Sequence, residues 1–166
     1  TVYPMGPAAM AETLHEFALD PRHGLGGRIG FTAVLHTWDQ LLRQHIHLHC
    51  LIPAGVLSGA GTWIHARSKY LFPVRALSRL FRGKFIAFLK HACADGKLVW
   101  PCSKPAPTPQ VEFTKLIRQL WHKEWIVYSK PPFGGPTQVL AYLGRYTHRV
   151  AISNNRLMGL TGGAVT

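Results

Sequence analysis

The chain has 166 residues, 47% of them hydrophobic, which is enough for one buried core and too few for two comfortable ones. Nineteen Lys and Arg against seven Asp and Glu leave a formal charge of +12, a balance that favours a polyanionic partner. No apolar run of about 20 residues and no signal-peptide pattern is present, which speaks against a membrane span, and an odd, sparse count of three cysteines without Cys-x-x-Cys spacing argues against a disulfide framework and for a reducing compartment.

In chain order, a short helical patch over Ala8–Leu19 precedes a break at Gly24, Gly26 and Gly27. Arg28 to Trp38 is rich in apolar and β-branched residues and predicts a buried strand, and His45 to Pro53 predicts a second. Ser58-Gly59-Ala60-Gly61 signals a hairpin with Trp63-Ile64-His65 as its return strand. Helical spacing of apolar residues runs from Pro73 to His91, and again from Val111 to Lys123 after a Pro-rich loop. Trp125–Lys130 reads as a strand. Pro131 to Pro136 forces a rigid connection, and Thr137 is the expected N-cap of a helix reaching about Val150. Gly162 to Thr166 reads as the start of a hairpin arm without its partner, as in a piece of a longer chain. The interleaving of helices with hairpins predicts an α+β fold with an antiparallel sheet.

His45, His47 and His49 alternate with Ile46, Leu48 and Cys50. Alternate side chains of a strand share a face, so three imidazoles stand together on one side. Three potential cations on one face gain little by themselves, whereas one divalent metal would unite them. Imidazole suits zinc, manganese, nickel or copper better than magnesium, which prefers oxygen. A single histidine would more simply hydrogen-bond the backbone or decorate an exposed face.

The last helix carries the second constellation. At about 100° per residue, Gln138, Tyr142, Arg145, Tyr146 and Arg149 fall in one sector, beside an apolar sector of Val139, Leu143 and Val150. Paired tyrosines alone usually mark a core edge. The flanking arginines alter that reading, because guanidinium forks bind phosphate and a phenol is a recognised covalent nucleophile.

His47-Leu48-His49 resembles the His-hydrophobe-His motif of the HUH endonuclease superfamily, and Tyr142 and Tyr146 resemble the paired tyrosines of its two-tyrosine rolling-circle transposases. Phe133-Gly134-Gly135-Pro136 and the run from Tyr142 to Asn154 resemble the same group. The likeness covers roughly residues 28–166, taken as the catalytic domain and as lacking its C-terminal part, with 1–27 as an N-terminal extension. It implies a central antiparallel sheet carrying the HUH strand and flanked by helices. It also implies one Mg²⁺ or Mn²⁺, cleavage of single-stranded DNA at transposon ends through a 5′-phosphotyrosine, and a bacterial cytoplasmic setting without membrane partners.

Carried over by residue, His47 and His49 are metal ligands and Tyr142 and Tyr146 nucleophiles, with Arg145, Arg149 and Lys130 as phosphate-binding candidates. The third ligand stays open between Gln138, one helical turn before Tyr142, and His45, on the ligand face of the strand. Gln138 is preferred, and His148 points away from Tyr142. Ile46 stands where the family has proline, a change that a strand accepts. The cysteines do not build the N-terminal zinc module of larger family members.

Other readings predict different behaviour. A replication initiator or relaxase would share the chemistry. A non-catalytic nucleic-acid-binding domain would stack bases on Trp121, Trp125 and Tyr128 beside Lys123 and Lys130. A metal-storing site would bind its ion regardless of DNA, and it leaves the charge and the tyrosine helix unexplained.

Overall fold

A computed structural model describes residues 5–23, 25–39, 43–67, 71–98, 109–147, 159–161 and 164–165. The chain divides into two compact units, Thr1–Phe31 with Ile52–Pro132, and Thr32–Leu51 with Phe133–Thr166. Helices and antiparallel ladders occupy separate runs of the sequence, with four strands between α1 and α2 and two after α4 among the described residues, so the fold is α+β. No helix among the described residues is long and apolar enough to cross a membrane.

The first unit holds the apolar core. Helix α1 (Met5–Leu19) buries Ala9, Thr13, Leu14, Phe17 and Ala18, positions that recur on one face of a helix. The buried Thr13 hydroxyl donates to the Ala9 carbonyl at 2.6 Å, so the one polar group in that face is satisfied internally. Leu14, Phe17, Ala18, Leu25, Ile29, Val56 and Phe72 form one cluster, with Leu77 and Leu80 of α2 (Val74–Ala94) packed against it. Lys84 of α2 reaches back to Glu16 at 2.8 Å and Glu12 at 3.3 Å on α1. Gly96 ends α2 in the left-handed region, φ 65°, while Lys97 N–H donates to the Ala92 carbonyl at 2.8 Å and Gly96 N–H to that of Cys93 at 3.1 Å. This double bond is the Schellman stop of a helix, which needs a residue free of Cβ strain at that position.

Strands β3 (Gly55–Leu57) and β4 (Trp63–His65) form the hairpin expected around Ser58–Gly61. Arg28 bridges to Leu57 through bonds of 2.7 and 2.8 Å, and Gly27 is required beside it, because a Cβ there would lie 2.6 Å from the Leu57 carbonyl oxygen. The strand expected over Arg28–Trp38 is therefore split: Arg28 bridges within the first unit, and regular strand begins at Thr32.

Helix α3 (Pro109–His122) starts on a proline, whose missing N–H costs nothing at a first turn. At its other end Arg82 donates to the carbonyls of Trp121 at 3.1 Å and Lys123 at 3.3 Å while lying over the Trp121 ring, so a cation meets the negative end of the helix. Trp125–Lys130 is extended, with alternate residues half-buried, yet it joins no ladder among the described residues, contrary to the strand expected there. The reason is local: the Ser78 hydroxyl takes the Trp125 carbonyl, the Trp125 ring packs on Phe81 and Phe85, and Pro131-Pro132 that follow have no N–H to donate.

The second unit contains β1 (Thr32–Trp38) and β2 (Gln44–Leu51), paired antiparallel, and helix α4 (Pro136–Thr147). Asp39 and Arg43, which follow β1 and precede β2, are joined by a backbone bond of 3.0 Å and an ion pair of 2.7 Å. Thr137, the expected N-cap, lies inside α4 instead; the fixed φ of Pro136 suits the first helical position, which makes Gly135 the cap. Leu160–Thr161 (β5) and Ala164–Val165 (β6) pair with each other, so the hairpin arm expected at the end of the chain has its partner on the spot.

Candidate metal centre and nucleophile

The β1–β2 register decides which imidazoles meet. His36 stands opposite His47, and Val34 opposite His49. Residues opposite each other in an antiparallel pair point to the same face, so β1 adds a histidine to the histidine face of β2. The His36 ring centroid lies 5.3 Å from that of His47 and 4.7 Å from that of His49, and those of His47 and His49 are 4.8 Å apart. One ring nitrogen from each of the three lies within 4.8 Å of the others, and all three side chains are half-buried.

His45 stands outside this group. The ladder slips between His36 and Trp38: Trp38 pairs with Gln44, where an unbroken register would give His45. A bulge of this kind breaks the alternation of faces. The exposed His45 ring lies 4.6 Å from that of His47, and its contribution is the backbone carbonyl, 2.9 Å from His47 Nδ1. A carbonyl only accepts, so this bond requires the proton on Nδ1 and, in the neutral ring, leaves the lone pair of His47 on Nε2, where it could serve a metal.

On α4, the Tyr142 hydroxyl lies 3.3 Å from His49 Nδ1, and its half-buried ring packs against Phe133 at a centroid distance of 5.1 Å. Gln138, the preferred third ligand on sequence grounds, is exposed, and its amide oxygen accepts the Gly134 N–H at 2.6 Å. It is the third residue of the helix reaching back to the chain ahead of it, as in a capping box. Arg145 and Tyr146 continue the backbone of α4, Lys130 is exposed in the first unit, and Arg149 lies outside the described residues. Burial pushes the Cys50 thiol up to about 11, which keeps it protonated beside the histidines of β2.

His36 was absent from the sequence reading because nothing adjacent to it marks it. The available signal was symmetry in number: His36 and His47 are nearly equidistant in sequence from position 41, as opposed residues of an antiparallel pair must be.

Residues 30–166 match the model of a family described as "Putative transposase", Y2_Tnp. The chain belongs to this transposase family. It is 52% identical over 165 residues to "Putative transposase y4qJ" of Sinorhizobium fredii, covering 99% of the chain and 41% of that protein. It is 27% identical over 147 residues to the "Transposase for insertion sequence element IS801" of Pseudomonas savastanoi pv. phaseolicola, covering 86% of the chain and 33% of the relative. The chain thus spans well under half the length of these transposases. No solved structure matches it.

Proposed function

We propose that this chain is the DNA-cleaving part of a transposase, which opens single-stranded DNA at a transposon end through a covalent 5′-phosphotyrosine link and passes the strand on. The observation that carries this reading is the Tyr142 hydroxyl 3.3 Å from a histidine of the imidazole cluster, within one compact unit. The donor set fits a divalent cation: imidazole nitrogens converge, and the His45 carbonyl fixes the His47 tautomer as an outer partner does in metal sites. His47 and His49 would hold the ion. When bound, a divalent cation supplies Lewis-acid polarisation of the scissile phosphate.

The chain's own residues account for the rest. Tyr142 is the first nucleophile: its oxygen bonds phosphorus as the phenol proton leaves to solvent. The P–O3′ bond breaks, and the departing oxygen takes up a proton to give a free 3′-OH. His49, protonated on Nδ1, donates to the Tyr142 oxygen and orients it, while Phe133 limits the swing of the ring. Tyr146, one helical turn on, receives the strand in the second transfer. Arg145 and Arg149 neutralise the flanking phosphates, and Lys130 is a further phosphate-binding candidate, in keeping with the charge of +12. A replication initiator or relaxase would use the same steps, and the names of the relatives speak for transposition.

The test is incubation with end-labelled single-stranded DNA and Mn²⁺, then a denaturing gel and peptide mapping. An adduct on Tyr142 that EDTA abolishes is expected. Adducts that persist when Tyr142 and Tyr146 are both changed to Phe would overturn the assignment.

A further inference from the structure

The HUH pair supplies two nitrogens to a cation, and the identity of the third donor determines which cations the site accepts. Magnesium wants near-octahedral oxygen and gives up its waters reluctantly, whereas imidazole suits the later divalent ions. Gln138 as third ligand would offer a hard amide oxygen. His36 would make the protein's contribution all nitrogen.

From this geometry we infer that His36 is the third ligand, and that the site selects a nitrogen-preferring cation of the manganese, cobalt or zinc class over magnesium. This rests on the reading of the cluster as a metal centre and extends it to the class of ion.

Three observations carry it. The antiparallel register puts His36 directly across from His47, so its place in the cluster is set by backbone pairing. Its ring is as close to His49 as His47 is, at 4.7 Å against 4.8 Å, which makes the three a triangle and not a pair with a neighbour. No carboxylate or thiolate joins the group among the described residues. Nitrogens bound to one ion at the usual distance lie about 3.3 Å apart. Binding one ion would therefore draw these nitrogens together by up to about 1.5 Å from the observed spread of up to 4.8 Å.

Gln138 meanwhile has another task. Its amide oxygen holds the Gly134 N–H, and Phe133, the next residue back, packs on Tyr142. The side chain fastens the turn that buttresses the nucleophile, so the sequence position that suggested a ligand belongs to a positioning residue.

The experiment starts from the purified chain stripped with EDTA. Mn²⁺ binding is followed by the loss of the free-ion electron paramagnetic resonance signal, and Mg²⁺ is titrated as competitor. In the wild type Mg²⁺ should compete at least about tenfold more weakly than Zn²⁺ or Co²⁺. His36→Asp, which replaces a nitrogen with a hard oxygen, should narrow that gap by about tenfold, and Gln138→Ala should leave Mn²⁺ affinity unchanged. Pulsed resonance on wild-type protein with bound Mn²⁺ counts coordinated imidazoles without relying on any variant to fold. Three imidazoles support the inference. Two overturn it, as does Mg²⁺ competing on equal terms with Zn²⁺. Three imidazoles with no DNA adduct would leave the metal class standing and reject the nicking reaction, whereas an adduct with two imidazoles would reject the role of His36 alone.

Discussion

In the first unit, α1 and α2 turn apolar faces inward, and Leu14, Ile86 and Val56 are almost wholly shielded from water. In the second, β1 and β2 turn imidazoles to one face and leave them half-buried, beside a helix whose tyrosine meets His49. The first arrangement lowers free energy by removing apolar surface from water. The second gains little that way, since clustered imidazoles repel one another when charged and are costly to desolvate. Side chains that a fold does not need for its stability, yet gathers within reach of each other, are best explained by a ligand that unites them. The comparison thus separates what makes the chain fold from what makes it act, and substitutions in the two units should fail in different ways.

The largest expected effect is on activity. His49→Ala removes a proposed metal ligand and the partner of the Tyr142 hydroxyl together. Formation of the covalent DNA adduct should fall by at least about a hundredfold. The thermal midpoint of the metal-free chain should barely move, because His49 is not part of the apolar cluster. Quantified gels beside a circular dichroism melt check both halves. A collapse of the melt would mean that the imidazole face is structural after all.

Leu14→Ala should do the reverse. Leu14 is 1% exposed at the centre of the cluster, so truncation leaves a cavity costing about 2–5 kcal/mol of stability. Urea unfolding measures it, and the adduct formed per folded molecule should remain within about twofold of wild type while the chain stays folded. Loss of adduct in the folded fraction would show that the two units are not separable in this sense.

How much of this was legible in the sequence follows the same division. Core helices announce themselves through spacing, and α1, α2 and α3 lie within a few residues of where their apolar periodicity put them. His47 and His49 were legible because two-residue spacing within one strand fixes a shared face whatever the strand pairs with. His36 was not, since its place depends on the register with β2. His45 is not among the three clustered imidazoles and lies where the register between β1 and β2 shifts, a feature carried by pairing and not by composition. Trp125–Lys130 has the alternation of a strand and lacks a described ladder, because alternation records which side is covered and not whether a neighbour offers hydrogen bonds.

A smaller effect distinguishes positioning from ligation. Gln138→Ala frees the Gly134 N–H and loosens the turn holding Phe133 against Tyr142, a loss of about 1 kcal/mol in the order of that turn. Adduct formation should slow several-fold, and Gln138→Glu, which keeps an acceptor oxygen, should restore most of it. Failure of the glutamate to rescue would break the link from Gln138 to the nucleophile.

The smallest effect lies in the first unit and has a definite sign. The Lys84 ammonium, hydrogen-bonded to Glu16 with Glu12 beside it, is held above the ordinary lysine range. A raised folded value means that the folded state binds this proton more tightly than the unfolded chain does. The contribution is therefore complete below the unfolded lysine value, about 10.4, and is lost as the pH rises through the folded value. Both glutamates are more than half exposed, so screening limits the pair to about 0.2–1 kcal/mol. Lys84→Met keeps the aliphatic packing and removes the charge. Its urea midpoint should fall slightly below that of wild type at pH 8, and the difference should shrink towards pH 11 and in high salt. A gap that stayed the same across this pH range and in high salt would mean that the charge pair contributes nothing, which would place the α1–α2 contact entirely on the apolar side of the comparison.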